Sequence, residues 1–97
     1  MAVSKTQKKY LAGICHHLRP VVMLGQKGLT DAVFEEIEIA LTAHELVKLK
    51  LRGEREDRRA WAEEIVSRTD AELIQQIGMT ACFYRANPDK PKIELPR

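Results

Sequence analysis

Residues 25–28 read Gly25-Gln26-Lys27-Gly28, and no other segment of the chain has residue types so suited to one chemistry. Two glycines permit a tight turn and keep side chains out of the way of a group approaching the main chain. Lys27 sets a full positive charge at the tip. Thr30 follows as a helix N-cap with Asp31 behind it, so free backbone N–H groups and the positive end of a helix dipole lie beside the loop. Amides, dipole and lysine together suit a phosphate group. The segment is too short for a Walker A loop, because no Gly-Lys-Ser/Thr follows. The plainer reading of such a segment is a bare strand-to-helix turn.

Other reactive residue types do not assemble. His44-Glu45 begins the zinc-protease pattern His-Glu-x-x-His, but the fifth position is Lys48, so the second ligand is missing. His16 and His17 are adjacent, and adjacent helical positions point in different directions. Ser4, Thr30 and Ser67 have no base arranged around them. The expectation is a protein that is not an enzyme and uses no metal or cofactor.

Charge supplies the second signal. The formal net charge of +2 conceals segregation along the chain. Residues 1–28 carry Lys5, Lys8, Lys9, Arg19 and Lys27 with no acid, whereas residues 29–47 carry Asp31, Glu35, Glu36, Glu38 and Glu45 with no base. Residues 48–59 set six bases (Lys48, Lys50, Arg52, Arg55, Arg58, Arg59) against three acids. A local positive field of this kind suits a polyanion partner. Solvated faces on a mixed-charge protein are the bland alternative.

The elements that must hold these residues follow from periodicity. Ser4 and Gln7 form a capping box that opens a helix with Leu11, Ile14 and Leu18 on one face, and Pro20 ends it. Pro20-Val21-Val22-Met23-Leu24 is a short apolar run typical of a buried strand. After the loop, Val33, Ile37, Ala40 and Leu41 make an apolar helical stripe, leaving Glu35, Glu36 and Glu38 solvated. From Val47 to Arg52 the chain alternates, so Val47, Leu49 and Leu51 face inward while Lys48, Lys50 and Arg52 line the opposite face. A helix is expected from about Asp57, with Trp61, Ile65 and Val66 as core positions. Thr69-x-x-Glu72 reads as a capping box opening a short helix through Leu73 and Ile77, ended by Gly78. Met79 to Arg85 reads as a strand, Asn87-Pro88-Asp89 as a turn, and Lys92-Ile93-Glu94-Leu95 as an edge strand. The expected fold is α/β: a compact two-layer sandwich with a small four-stranded mixed sheet and the order α-β-α-β-α-(α)-β-β.

Ninety-seven residues, 44% hydrophobic and 31% charged, suit one globular domain spanning 1–97 with a single modest core. No apolar run follows the N-terminal charges and none approaches a membrane span, so a cytoplasmic location without membrane contact is expected. Cys15 and Cys82 stand far apart, outside any Cys-x-x-Cys spacing. In a reducing cytosol each is expected as a separate small buried hydrophobe, a disulfide between them being the less favoured arrangement.

A Gly-x-x-Gly loop clamps backbone nucleotides in KH-type RNA-binding domains. Pro20-Val-Val-Met-Leu-Gly-Gln-Lys-Gly-Leu-Thr30, then His44-Glu-Leu-Val-Lys48, then Gln76-Ile-Gly78 and Tyr84-Arg85 together resemble the CRM family (chloroplast RNA splicing and ribosome maturation). The similarity runs over roughly residues 4–96, and the length is similar to stand-alone bacterial members associated with large-ribosomal-subunit precursors. The resemblance implies a fold like the C-terminal domain of translation initiation factor 3. It also implies ribosomal RNA binding through Gly25, Gln26, Lys27 and Gly28 and the neighbouring basic surface. The commoner family loop has lysine directly after the first glycine; here Gln26 stands there, and Lys27 is the candidate substitute. The expected RNA-binding set is the loop with Thr30, the helix lysines Lys5, Lys8 and Lys9, and the strand row Lys48, Lys50 and Arg52, on a monomer. The alternative is a protein-interaction module docking on ribosomal proteins through the acidic helix 30–44.

Overall fold

The computed structural model describes residues 3–97. Ser4 caps α1 (Lys5–His16) with the reciprocal bonds of a capping box: Gln7 N–H donates to Ser4 Oγ at 3.1 Å, and Ser4 N–H donates to Gln7 Oε1 at 3.0 Å. After β1 (Val22–Leu24) and the glycine loop, Thr30 Oγ1 accepts from Val33 N–H at 3.2 Å and opens α2 (Asp31–His44). Next come β2 (Leu46–Leu51), α3 (Arg55–Thr69), β3 (Glu72–Ile77) and β4 (Thr80–Tyr84).

The sheet is four-stranded and mixed, in the order β1-β2-β4-β3, with β1 parallel to β2 and the other pairs antiparallel. One face carries Val22, Leu24, Val47, Leu49, Leu51, Ala81 and Phe83. These pack against Phe34, Ile37 and Leu41 of α2 and Ala62 and Ile65 of α3. Fully burying a side chain such as Phe83 or Ile37 contributes about 1.5–3 kcal/mol, which makes this the main core. The two-layer expectation describes this side. On the other face Leu11 and Cys15 of α1 meet Leu46, Ile74, Cys82 and Tyr84, with Ile93 and Leu95 of the C-terminal segment beside them. α1 and that segment therefore add a partial third layer.

Three expectations need correction. The short helix opened by Thr69-x-x-Glu72 does not form. Instead Thr69 Oγ1 donates to Ile65 O at 2.6 Å and accepts from Ala71 N–H at 3.2 Å, so the hydroxyl finishes α3 rather than starting another helix. Asp70 adopts a left-handed conformation, and Glu72–Ile77 pairs with β4 across a two-residue hairpin turn at Gly78-Met79. An irregularity between Leu73 and Gln75 breaks the alternation of β3, which is why its apolar residues are spaced like a helix. Lys92–Leu95 joins no strand ladder. Lys92 and Ile93 N–H donate to the Glu45 carboxylate at 2.6 and 2.8 Å, which satisfies this backbone without a neighbouring strand. Finally, Cys15 and Cys82 are not separate: they meet where α1 packs on β4, with Cα atoms 6.4 Å apart. That pairing spans 67 residues of sequence, beyond the reach of spacing rules.

Candidate nucleic-acid interface

Gly28 N–H donates to Gly25 O at 2.9 Å, closing a four-residue turn with Gln26 and Lys27 exposed at its tip. Gly28 has φ +65, the left-handed region that favours glycine, and a Cβ there would lie 3.2 Å from Trp61 Nε1. The second loop glycine is thus demanded by the fold. The first is not: a Cβ on Gly25 would meet no atom within 4 Å. Open space above Gly25, beside an exposed lysine and the capped start of α2, is room for a ligand's backbone.

The loop has close neighbours at the same end of the sheet. Arg52 N–H donates to Leu24 O at 2.9 Å, and Leu51 N–H donates to Met79 O at 2.6 Å. These bonds set the glycine loop, the β2–α3 turn and the β3–β4 turn side by side. Trp61 of α3 is the wedge among them, since its indole lies under Gly28 and its ring edge sits 2.6 Å from where a Cβ of Gly53 would be.

Of the expected site residues, Arg52 joins the loop, and Lys48 and Lys50 do face away from the main core. Their register places them in rows across the sheet: Met23, Lys50, Thr80 and Ile77 in one, Lys48, Cys82 and Gln75 in the next. α1 covers the Cys82 side, while the row through half-buried Lys50 ends in exposed Met23 and Ile77. Lys5, Lys8 and Lys9 are exposed on α1 but are not brought to the loop. The start of α1 is tied to the far end of the sheet, where Val3 N–H donates to Glu72 Oε2 at 2.9 Å and Gln7 Nε2 donates to Pro96 O at 2.9 Å. Glu72 aligns with Tyr84 and Leu46, the first residue of β2, whereas the loop lies beyond Leu51, its last. Five strand steps of about 3.4 Å separate the two ends by roughly 17 Å.

Residues 3–85 match the CRS1/YhbY (CRM) domain. The chain belongs to that family. A Haemophilus influenzae protein named "RNA-binding protein" is 47% identical over 96 residues, covering 98% of this chain and 96% of its own length. A Pseudomonas aeruginosa protein named "Probable RNA-binding protein" is 46% identical over 96 residues, covering 98% and 91%. A solution structure of a Staphylococcus aureus protein superposes on this CRM domain with a TM-score of 0.84 at 29% identity, covering 98% of this chain and all of that one.

Two features of this CRM domain escaped the sequence reading. Arg55, Arg58 and Arg59 meet Gln76 and Gly78 around an open cleft of about 460 Å³. Their i, i+3, i+4 spacing is legible as one helical face, but only once α3 is known to start at Arg55. The other is Glu45, buried to 1% exposure and left-handed at φ 63. Its carboxylate accepts from Asn87, Lys92 and Ile93 N–H, while Arg85 N–H donates to its carbonyl. Burial pushes its pKa up, but those three donors and the Lys92 charge outweigh burial and hold it below the ordinary glutamate value. Arg85 ties the same corner, donating to Glu38 Oε1 and Thr69 O, each at 2.9 Å. Glu45 and Arg85, both within the resemblance motifs, thus have architectural partners. Among the described residues there is no group of three His, Cys, Asp or Glu placed to hold a metal, and no helix long and apolar enough to cross a membrane.

Proposed function

We propose that this protein is a non-enzymatic RNA-binding module that binds ribosomal RNA in large-subunit precursors through the Gly25–Gly28 loop and the adjoining basic surface. The observation that carries this reading is the unfilled space over Gly25 beside exposed Lys27 and the start of α2. A fold that needs glycine at position 28 but not at 25 has a first glycine free to serve a ligand. The names of the Haemophilus and Pseudomonas relatives support RNA as that ligand. Phosphate contact dominates, since Trp61 is committed to packing, Phe34, Phe83 and Tyr84 are buried, and exposed Tyr10 stands on α1 rather than at the loop. The protein acts as a cytoplasmic monomer, with Gln26 and Lys27 at the phosphate, Thr30 positioning the helix start, and Lys48, Lys50 and Arg52 extending the track. Lys5, Lys8 and Lys9 reach a separate stretch of the RNA, given their distance from the loop.

The test is binding of purified protein to large-subunit ribosomal RNA fragments at several salt concentrations, wild type against Gly25→Asp/Lys27→Glu. The reading expects tight, salt-sensitive binding that the folded variant loses. Equal binding by both proteins removes the loop from the mechanism. A second reading, docking on ribosomal proteins through α2, draws on exposed Glu35, Glu36 and Ile39 along its outer face. Absence of RNA binding with retained particle association favours it.

A further inference from the structure

The arginines at the start of α3 are used only in part by the fold. Arg58 Nη1 donates to Gly53 O at 3.1 Å and so steadies the β2–α3 turn. Arg59 pairs with Glu63 at 3.7 Å, but both side chains are largely exposed, and such a pair yields easily to a better partner. The Arg55 side chain makes no hydrogen bond or ion pair among the described residues. All three lie within one helical face and line the cleft opposite Gln76 and Gly78.

The acids of the same segment are turned elsewhere. Asp57 Oδ2 accepts from Glu54 N–H at 3.1 Å, and neither Glu54, Glu56 nor Asp57 lines the cleft. Its wall is therefore cationic and neutral: guanidinium groups, the Gln76 amide and the hairpin at Gly78. Planar guanidinium groups match phosphate oxygens in paired hydrogen bonds. The cleft also joins the glycine loop, because Trp61 underlies Gly28 and Gly53, and Arg58 holds the Gly53 carbonyl.

We infer that the cleft between α3 and the β3–β4 hairpin is a second phosphodiester-binding site, in which Arg55 and Arg59 clamp the RNA backbone as it leaves the Gly25–Gly28 loop. This rests on the RNA-binding reading above and adds to it a direction for the strand, from the loop across the Gly53 turn to the hairpin. Arg58 orients the turn, and Gln76 offers a neutral amide to the sugar.

The experiment measures RNA affinity against salt for wild type, Arg55→Gln/Arg59→Gln and Gly25→Asp/Lys27→Glu, using a large-subunit ribosomal RNA fragment. Arg58 is left in place to keep the turn. Losing two phosphate contacts should weaken binding on the order of tenfold and reduce the slope of log affinity against log salt by about 1.5 to 2. Unchanged affinity and slope in the arginine variant, with binding lost in the loop variant, overturns the cleft and leaves the loop reading standing. Wild-type protein that binds no RNA overturns both. Loss confined to the arginine variant keeps the cleft and removes the loop. If the double variant does not fold, phenylglyoxal modification of wild-type protein decides. RNA should protect Arg55 and Arg59, and equal modification with and without RNA defeats the proposal.

Discussion

A methyl group at Gly25 would meet no atom within 4 Å, one at Gly28 would press on Trp61 Nε1 at 3.2 Å, and one at Gly53 would lie 2.6 Å from Trp61 Cη2. The three glycines should therefore separate by experiment. Gly53→Ala forces the indole to move and should destabilise by about 1–3 kcal/mol. Gly28→Ala adds a strained positive φ to a milder contact, for about 1–2 kcal/mol. In a domain of this size each kcal/mol lowers the melting temperature by about 4–8 °C. Gly25→Ala should leave melting within about 0.5 kcal/mol of wild type. It should nevertheless weaken RNA binding several-fold. Thermal melts and RNA titrations on the same preparations check all three. Unaltered RNA affinity in folded Gly25→Ala protein would remove the ligand's claim on that position.

Among the elements, α2 and the C-terminal segment depend on a single carboxylate. Glu45 ends α2, and its oxygens accept the N–H groups of Asn87, Lys92 and Ile93. Because its folded pKa is depressed, its contribution is present above the unfolded value and lost as pH falls through the folded one. Stability should thus decline below about pH 4, the ordinary range for glutamate. Glu45→Gln turns an amide donor toward three donors and loses the charge, so it should cost about 2–3 kcal/mol at neutral pH. It should also flatten that acid limb. Denaturation at pH 7 and pH 4 compares the two proteins, and an equal decline in both would show that another carboxylate governs the acid limb. Exchange of the Lys92 and Ile93 amides should quicken in the variant.

For the whole molecule, charge is sorted by the fold into zones that differ from the sorting along the chain. Lys27, Arg52, Arg55 and Arg59 come from three segments and meet around one end of the sheet, beside the starts of α2 and α3. Lys5, Lys8 and Lys9 stand on α1, tied to the other end. Neutralising the outer face of α2 with Glu35→Gln/Glu36→Gln should leave RNA affinity unchanged or raise it modestly, most visibly at low salt. Replacing Lys5, Lys8 and Lys9 together by Gln should lower affinity for a long ribosomal RNA fragment more than for a short single strand, because a short strand does not bridge both ends. A titration with the two RNAs checks this, and equal losses would place the lysines on the same track as the loop.

Much of this arrangement was legible in local pattern. The Ser4 and Thr30 caps, the alternation of β2 and the apolar stripe of α2 each act within a few residues, where spacing dictates geometry. The Gly25–Gly28 loop was readable for the same reason, as was the family resemblance. What the sequence left open depends on partners far along the chain. Thr69 could cap a new helix or finish the old one, and its bonds to Ile65 and Ala71, with β4 waiting to pair with Glu72–Ile77, decided for the latter. Lys92–Leu95 has strand composition, yet a buried glutamate nearly fifty residues earlier took its N–H groups. The arginine cleft exists only because the β3–β4 hairpin folds back beside α3. Periodicity fixes which face a residue takes on its own element; which element lies opposite is set by burial and hydrogen bonding across the whole chain.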